Sequence, residues 1–341
     1  MSAFGNMLKN TTVRPLLLLV VVIAAFALLH GGGSFLGRQT AFSTFQHFAT
    51  VGLVALALGL TMLMREFDLS VAGMMGLGGC VAVLGGSDSA TAGLLAALAI
   101  GTIGGLVQGG LIVRLGLGSV AVSLGGLLTF SGIAYVITGN QTIAFDKMDV
   151  ALAINAPLLG IISVRALVVL ALFIVAALVI SHTRIGRDII AAGSNRQASI
   201  VAGTNPDRLL VGVFAASGAL AALAGAMLSY GLLSASPTGG VSDILVPAVA
   251  AAILGGVSLS GGVGHPLGIA AGVLILCVLR TGLTSLGVEP HVHDLATGAI
   301  LLTVAIADGP HLRMRLFQAA RLVRPARAAH HQGEYEIAKP D

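Results

Sequence analysis

The residue types best suited to metal chemistry stand together in "HVHD", where His291, His293 and Asp294 offer imidazoles and a carboxylate. A closed site needs about four converging ligands. This run stands at the end of an apolar segment without a partner cluster, so no metal is expected there. The two cysteines, Cys80 and Cys277, each lie inside an apolar run without redox or ligand spacing and read as packing residues. None of the three lysines follows a glycine, so the chain lacks the G-x-x-x-x-G-K-[ST] loop that cradles nucleotide phosphates. Any ATP used alongside this chain must be bound by another polypeptide. In "REFDLSV" (Arg65 to Val71), Asp68 is placed to accept a hydrogen bond from free amides at the start of the following helix, in a tight turn between apolar segments.

The longest such stretch is "GRDIIAAGSNRQASIVAGTNPDR", Gly186 to Arg208. Ser194-Asn195-Arg196-Gln197 fits the S-x-x-Q capping box that opens a helix. Gly203 supplies a stop, and Pro206 prevents the helix from resuming. The expectation is a helix of about eight residues between them, too short to be stable alone in water. It must dock, either on its own bundle or on a partner.

The elements that position these residues follow from composition. The chain has 341 residues, 56% of them apolar and 9% charged, with a mean hydropathy of +0.98. A soluble domain carries about 25% charged residues, so lipid is the expected solvent. The apolar pattern predicts ten spans at 15–30, 45–64, 69–85, 90–113, 117–138, 165–181, 208–234, 243–260, 264–285 and 291–308. That count puts both termini on one side. One side then carries fourteen basic residues, including Arg65, Arg114, Arg184, Arg187, Arg196 and Arg208, and the other only Arg38, Lys147 and Arg165. The bias makes the termini and the 186–208 stretch cytoplasmic, so the net charge of +4 reflects topology and not nucleic-acid binding. The layout expected is a cytoplasmic N-terminus at 1–14, one transmembrane domain at 15–308 and a basic cytoplasmic tail at 309–341.

Within the spans the deep charge reduces to Arg280, with Asp243 and Asp294 near outer ends. An ion-coupled secondary transporter normally keeps ionisable groups in mid-bundle, so this alternative is disfavoured. A membrane enzyme is disfavoured too, because no acid, base or metal residues converge. "DLSVAGMMGLGG" from Asp68 and "DILVPAVAAAILGG" from Asp243 are alike and fall on opposite sides, which is the pattern of an inverted five-plus-five repeat. The outer-end polar residues Ser236 and Asp243 are the candidates for a translocation pathway.

Taken in order, the 186–208 stretch, "SGALAALAGAMLSYGLLSASPTGG" (Ser217 to Gly240), "AVAAAILGGVSLSGGVGHPLG" (Ala248 to Gly268) and "DLSV" (Asp68 to Val71) resemble one family. This is the permease subunits of ribose-type ABC importers, which carry monosaccharides and related small polar solutes into bacteria. The likeness runs from about residue 45 to 308 and is densest from 184 to 270. It implies an all-α integral-membrane fold of about ten transmembrane helices, related to the vitamin-B12-type importer permease. It also implies a non-catalytic subunit of the bacterial inner membrane, without cofactor, paired with a second permease copy or paralogue. Its partners would be an ATP-binding cassette subunit, which binds the ATP, and a periplasmic substrate-binding protein. Gly193, Ser194, Asn195, Arg196, Gln197, Ala198, Ser199 and Gly203, within a coupling segment at 182–207, would contact the ATPase. One departure stands out: the family's "GGIDLSVG" is here "REFDLSVA", with Arg65, Glu66 and Phe67 for Gly-Gly-Ile and Ala72 for the last Gly.

Overall fold

The computed structural model describes residues 13–29, 35–239 and 244–308. Most of both expected cytoplasmic ends, 1–12 and 309–341, lies outside the described residues, as does Asp243. Long apolar runs become helices because only internal hydrogen bonding satisfies the backbone where water is absent. The helices are α1 (Val13–Leu29), α2 (Arg38–Leu63), α3 (Val71–Gly85), α4 (Ala90–Leu115) and α5 (Ser119–Thr138). They continue with α6 (Met148–Asn155), α7 (Val164–His182), α8 (Arg184–Ser194), α9 (Arg196–Val201) and α10 (Pro206–Leu232). The last are α11 (Leu245–Leu254), α12 (Pro266–Ser285) and α13 (Pro290–Asp308). Among the described residues six helices, α2, α4, α5, α7, α10 and α12, are long and apolar enough to cross a membrane, while α1, α3 and α11 are shorter apolar helices.

A helix lies in each of the ten expected segments, with two large boundary errors. The segment expected from 45 begins already at Arg38. The segment expected at 243–260 is helical only as Leu245–Leu254. Gly256, Gly261, Gly262 and Gly264 all take positive φ, so the chain leaves the helix and turns through an irregular loop before α12.

The interior is built on α10, which packs along α4, α3 and α2, while α12 packs on α2, α11 and α1. Small residues let these helices meet backbone to backbone. A Cβ on Gly101 would lie 2.6 Å from the Ala222 Cβ and 2.9 Å from the Gly218 carbonyl carbon, and Gly218 faces Gly101 in return. The contact joins α4 to α10 where no larger side chain fits. Phe48 of α2 and Phe173 of α7 fill another part of the core with ring centroids 5.5 Å apart. By contrast, α5 has only 17% of its apolar window buried, so most of its surface is left for lipid or a partner. Short strands pair antiparallel beside α6, β1 (Ile143–Ala144) with β4 (Ser234–Ala235) and β2 (Pro157–Leu158) with β3 (Ile162–Ser163). The end of the bundle reached by the C-terminus of α2 carries α8 and α9 instead.

Candidate functional site

The polar stretch between α7 and α10 folds as two helices joined by a sharp bend, not as the single helix expected. Thr183 opens α8 by accepting a hydrogen bond from the Gly186 amide at 3.2 Å. The helix then buries Gly186, Ile189, Ala192 and Gly193 on one face and leaves Arg184 and Arg187 exposed. It ends at Ser194, because Asn195 is extended (φ −156°, ψ 101°). The cap of α9 is therefore Asn195, whose Oδ1 accepts from the Ala198 amide at 3.0 Å, and not Ser194. Ser194 instead donates from Oγ to the Ile190 carbonyl at 2.8 Å. Gln197 is exposed, and no reciprocal capping-box bond forms among the described residues. Ser and Asn have near-equal preference as caps, and the bend decides between them.

Gly203 ends α9 with φ +84°. Its amide donates to Ile200 O at 2.9 Å and that of Thr204 to Ser199 O at 3.0 Å, the paired closure of a Schellman motif. Ser199 is buried, donating to the Arg196 carbonyl at 2.7 Å. Pro206 does not block a helix here. It begins α10 at the first-turn position, where its missing N–H is not needed, with Asn205 capping Arg208 N at 3.1 Å. Arg196 pairs with Asp207 across the loop. What remains outward on α9 is apolar: Ala198 is exposed, Ile200 is half-exposed and Val201 is 90% exposed.

The bend is seated on two other turns. Gly193 lies so close to Leu63 O, at the end of α2, that a Cβ there would overlap it and come within 2.8 Å of the Gly262 amide. That amide donates to the same Leu63 carbonyl at 2.9 Å. A Cβ on Gly261 would stand 2.9 Å from Gly193 O and 2.7 Å from the Arg65 Cβ. The end of α8, the α2–α3 turn and the α11–α12 loop thus meet at one joint. Leu63, Gly261 and Gly262 were not singled out as site residues, although "SGGVGH" marks a loop in which side chains are excluded. Beside it, His265 accepts the Leu267 amide at Nδ1, 3.2 Å away, and its Nε2 lies 2.7 Å from Ser181 Oγ of α7.

The α2–α3 turn answers the question raised by "REFDLSVA". Arg65 has φ +67°, the left-handed region in which a glycine carries no Cβ penalty. The Arg65 amide donates to Met62 O at 2.9 Å and the Glu66 amide to Thr61 O at 3.1 Å, so the Schellman turn forms without glycine. Asp68 is not on the surface of this turn; it is buried. Its Oδ1 accepts from the Ser70 amide at 3.1 Å and the Ser70 hydroxyl at 2.5 Å, and its Oδ2 accepts from Ser217 Oγ of α10 at 2.7 Å. Gln108 of α4 donates to Ser70 Oγ at 2.7 Å. The carboxylate therefore ties α3 to α10 as well as serving the start of α3.

At the far end, Ser236 bonds Thr238 at 2.9 Å and lines a cavity of about 100 Å³ between α3 and α10 with Ser229 and Ser234. Asp243 lies outside the described residues, so the expected pair is not brought together. Arg165, expected at a loop end, is buried, and its guanidinium donates to Gln46 Oε1 at 2.9 Å. Gln46 also joins Asn155, at 3.3 Å, and through it α10. Among the described residues no group of three or more His, Cys or acidic side chains is placed to hold a metal, and Cys80 and Cys277 are both buried and unpaired.

Comparison with known proteins places this geometry in context. Residues 39–305 match the family described as branched-chain amino acid transport system / permease component. The chain is 30% identical over 305 residues to the ribose import permease protein RbsC of Escherichia coli K12, covering 86% of this chain and 92% of the relative. The RbsC of Haemophilus influenzae is 30% identical over 303 residues, with 86% and 92% covered. The autoinducer 2 import system permease protein LsrC of Photorhabdus luminescens is 29% identical over 301 residues, with 87% and 90% covered. No solved structure matches.

Proposed function

The chain belongs to this permease-component family, and on that premise we propose that it forms the membrane pathway of an ATP-driven importer for a monosaccharide or related small polar solute. The observation that carries the mechanism is the seating of the α8–α9 bend on both the α2–α3 turn and the α11–α12 loop. In this reading ATP is bound by a separate ATP-binding cassette subunit, whose surface receives the exposed apolar tip of α9 around Ala198, Ile200 and Val201. Gly193, Ser194, Asn195, Arg196, Gln197, Ser199 and Gly203 hold that tip in place. When the ATPase subunits close and reopen, the tip is displaced. The glycine joint passes the displacement to α2, α3, α11 and α12 together, because its close backbone contacts leave no slack. ATP can drive transport only through contacts that differ between the outward- and inward-facing states, and this joint is where such a difference would be read.

The remaining parts of the proposal follow from the same arrangement. Ten helices lie in the membrane, with both termini and α8–α9 cytoplasmic, as the basic-residue bias requires. A periplasmic binding protein delivers solute to the opposite face, and a second permease copy or paralogue completes the pathway. An inverted repeat is supported by the brevity of α3 and α11, which stand at corresponding places in the two halves. Ser236, with Asp243 near it in sequence, contributes polar groups at the outer mouth. The test is uptake by proteoliposomes holding the permease, ATPase and binding protein encoded together. Solute should accumulate only with ATP on the α9 side. Accumulation driven by a proton or sodium gradient without ATP would refute the reading.

A further inference from the structure

A second cavity, of about 270 Å³, opens between α2, α11, α12 and α13 at the end of the bundle away from α9. Its polar lining is His47, Arg280, His293, Asp294 and Thr297. We propose that this cavity is a solute-binding site within the permease itself, built for a neutral polyhydroxylated molecule of monosaccharide size. The inference rests on the import reading above and specifies where in the chain the solute is held.

Two observations converge on an occupant. His293 is only 9% exposed, and its Nε2 is buried without a hydrogen-bond partner. A buried polar atom is ordinarily paired, and this one lines a space large enough to supply the missing partner. Arg280 and Asp294 form no ion pair among the described residues, although both line the same cavity. Ionisable groups that face a cavity between membrane helices are characteristic of solute and ion pathways.

The lining also selects the chemistry. Arg280 offers parallel N–H donors that fit adjacent hydroxyl oxygens, and Asp294 accepts hydroxyl hydrogens. The two imidazoles can do either. One formal positive and one formal negative group repel any ion of matching sign, whereas a neutral polyol satisfies both. The apolar wall at Val51 and Leu276 suits the C–H face of a sugar ring. The volume falls just below the range of about 300–1,000 Å³ typical of drug-sized ligands, so the occupant is small.

The experiment uses the assembled importer in proteoliposomes. Radiolabelled D-ribose, D-xylose, D-galactose and D-glucose identify the transported sugar, and galacturonate and glucosamine serve as charged counterparts. Arg280→Gln, His293→Gln and Thr297→Val are then compared with Leu302→Ala, an exposed position on α13 outside the cavity. With binding protein saturating, uptake by Arg280→Gln and His293→Gln should fall about tenfold through loss of a charged or buried hydrogen bond. Arg280→Lys should recover part of it, and Leu302→Ala should match the unaltered complex. Thr297→Val changes little in shape, so it decides the matter if the other variants do not assemble. Uptake within about twofold of normal in the assembled cavity variants overturns the site. Equal transport of the charged counterparts overturns the neutral-polyol assignment. Failure of the unaltered complex to import any neutral sugar instead overturns the import reading itself.

Discussion

The joint beneath α9 can be tested with one methyl group. In Gly193→Ala the new Cβ would overlap the Leu63 carbonyl oxygen and lie 2.8 Å from the Gly262 amide. These two atoms already hold each other at 2.9 Å, so neither can yield without breaking that bond. The end of α8 must lift by roughly 1.5 Å to restore an ordinary contact distance. Overpacking of this kind costs about 1–3 kcal/mol, and loss of the Gly262–Leu63 bond adds about 1 kcal/mol. A penalty near the middle of that sum, about 3 kcal/mol, lowers the seated population by roughly 100-fold, since each 1.4 kcal/mol is a factor of ten. Gly203→Ala supplies the contrast. It also places alanine near the tip, but nothing lies within 4 Å of its Cβ, so only the left-handed backbone penalty of about 1–2 kcal/mol applies. The assay is sugar taken up per ATP hydrolysed in proteoliposomes, with thermal unfolding of the detergent-solubilised complex measured in parallel. Gly193→Ala should still assemble yet import at least tenfold less sugar per ATP, whereas Gly203→Ala should lose less than half of that ratio. Gly203 is spared because its strain falls on the end of α9 and not on the Leu63–Gly262 contact that sets the seated population. If Gly193→Ala keeps the normal ratio, the joint does not transmit the motion and the mechanism proposed for it is wrong.

Other consequences follow from neighbouring contacts. Arg65→Gly removes a left-handed penalty of about 1–2 kcal/mol at φ +67° and gives back about 0.5–1 kcal/mol in backbone entropy. It should therefore raise the unfolding midpoint slightly; a lower midpoint would show that the Arg65 side chain stabilises the turn. Ala198→Glu adds a charge to an exposed position, so insertion and thermal stability should stay normal while co-purification with the ATPase is lost; retained co-purification would move the docking face elsewhere. Asp68→Ala strands three buried donors, the Ser70 amide and the hydroxyls of Ser70 and Ser217, and should cost about 3 kcal/mol, against about 1 kcal/mol for Ser217→Ala. In a double-mutant cycle the pair should couple by about 1 kcal/mol, and strict additivity would refute the link between α3 and α10.

How far these features could be read in advance depended on their range along the chain. Helix positions follow from local composition, so the expected ten segments each fall on a helix. Their ends were clearest where a local stop signal existed, as at Gly203. They were unclear at Arg38, where polar residues precede the apolar run of α2, and at Leu254, where the helix gives way to repeated positive-φ glycines that single-residue hydropathy reads as apolar. The misplaced cap shows the same limit at shorter range. Ser194 and Asn195 are both competent caps, and the choice went to Asn195 because Gly193 is pinned to Leu63 and Gly262, far away in sequence.

The same reasoning explains why the depth of several polar residues is not legible in the sequence. Asp68 and Arg165 sit at the edges of apolar runs, where a charge normally marks the membrane surface, yet each is buried by helices distant in sequence. Asp68 is met by Ser217 and Arg165 by Gln46, hydroxyl and amide partners that carry no charge signature. A pairing of opposite charges leaves a pattern that can be sought in a sequence; a carboxylate satisfied by serines does not. His293 Nε2 is buried without a partner, as Arg165 Nε is, but of the two only His293 lines the cavity. Asp68 has its donors supplied by the fold, whereas His293 lines an open cavity with Arg280 and Asp294 beside it. An unpaired buried atom alone marks no site, as Arg165 Nε shows; the physical reason to place the solute at His293 is the open space beside it, which Arg280 and Asp294 also line.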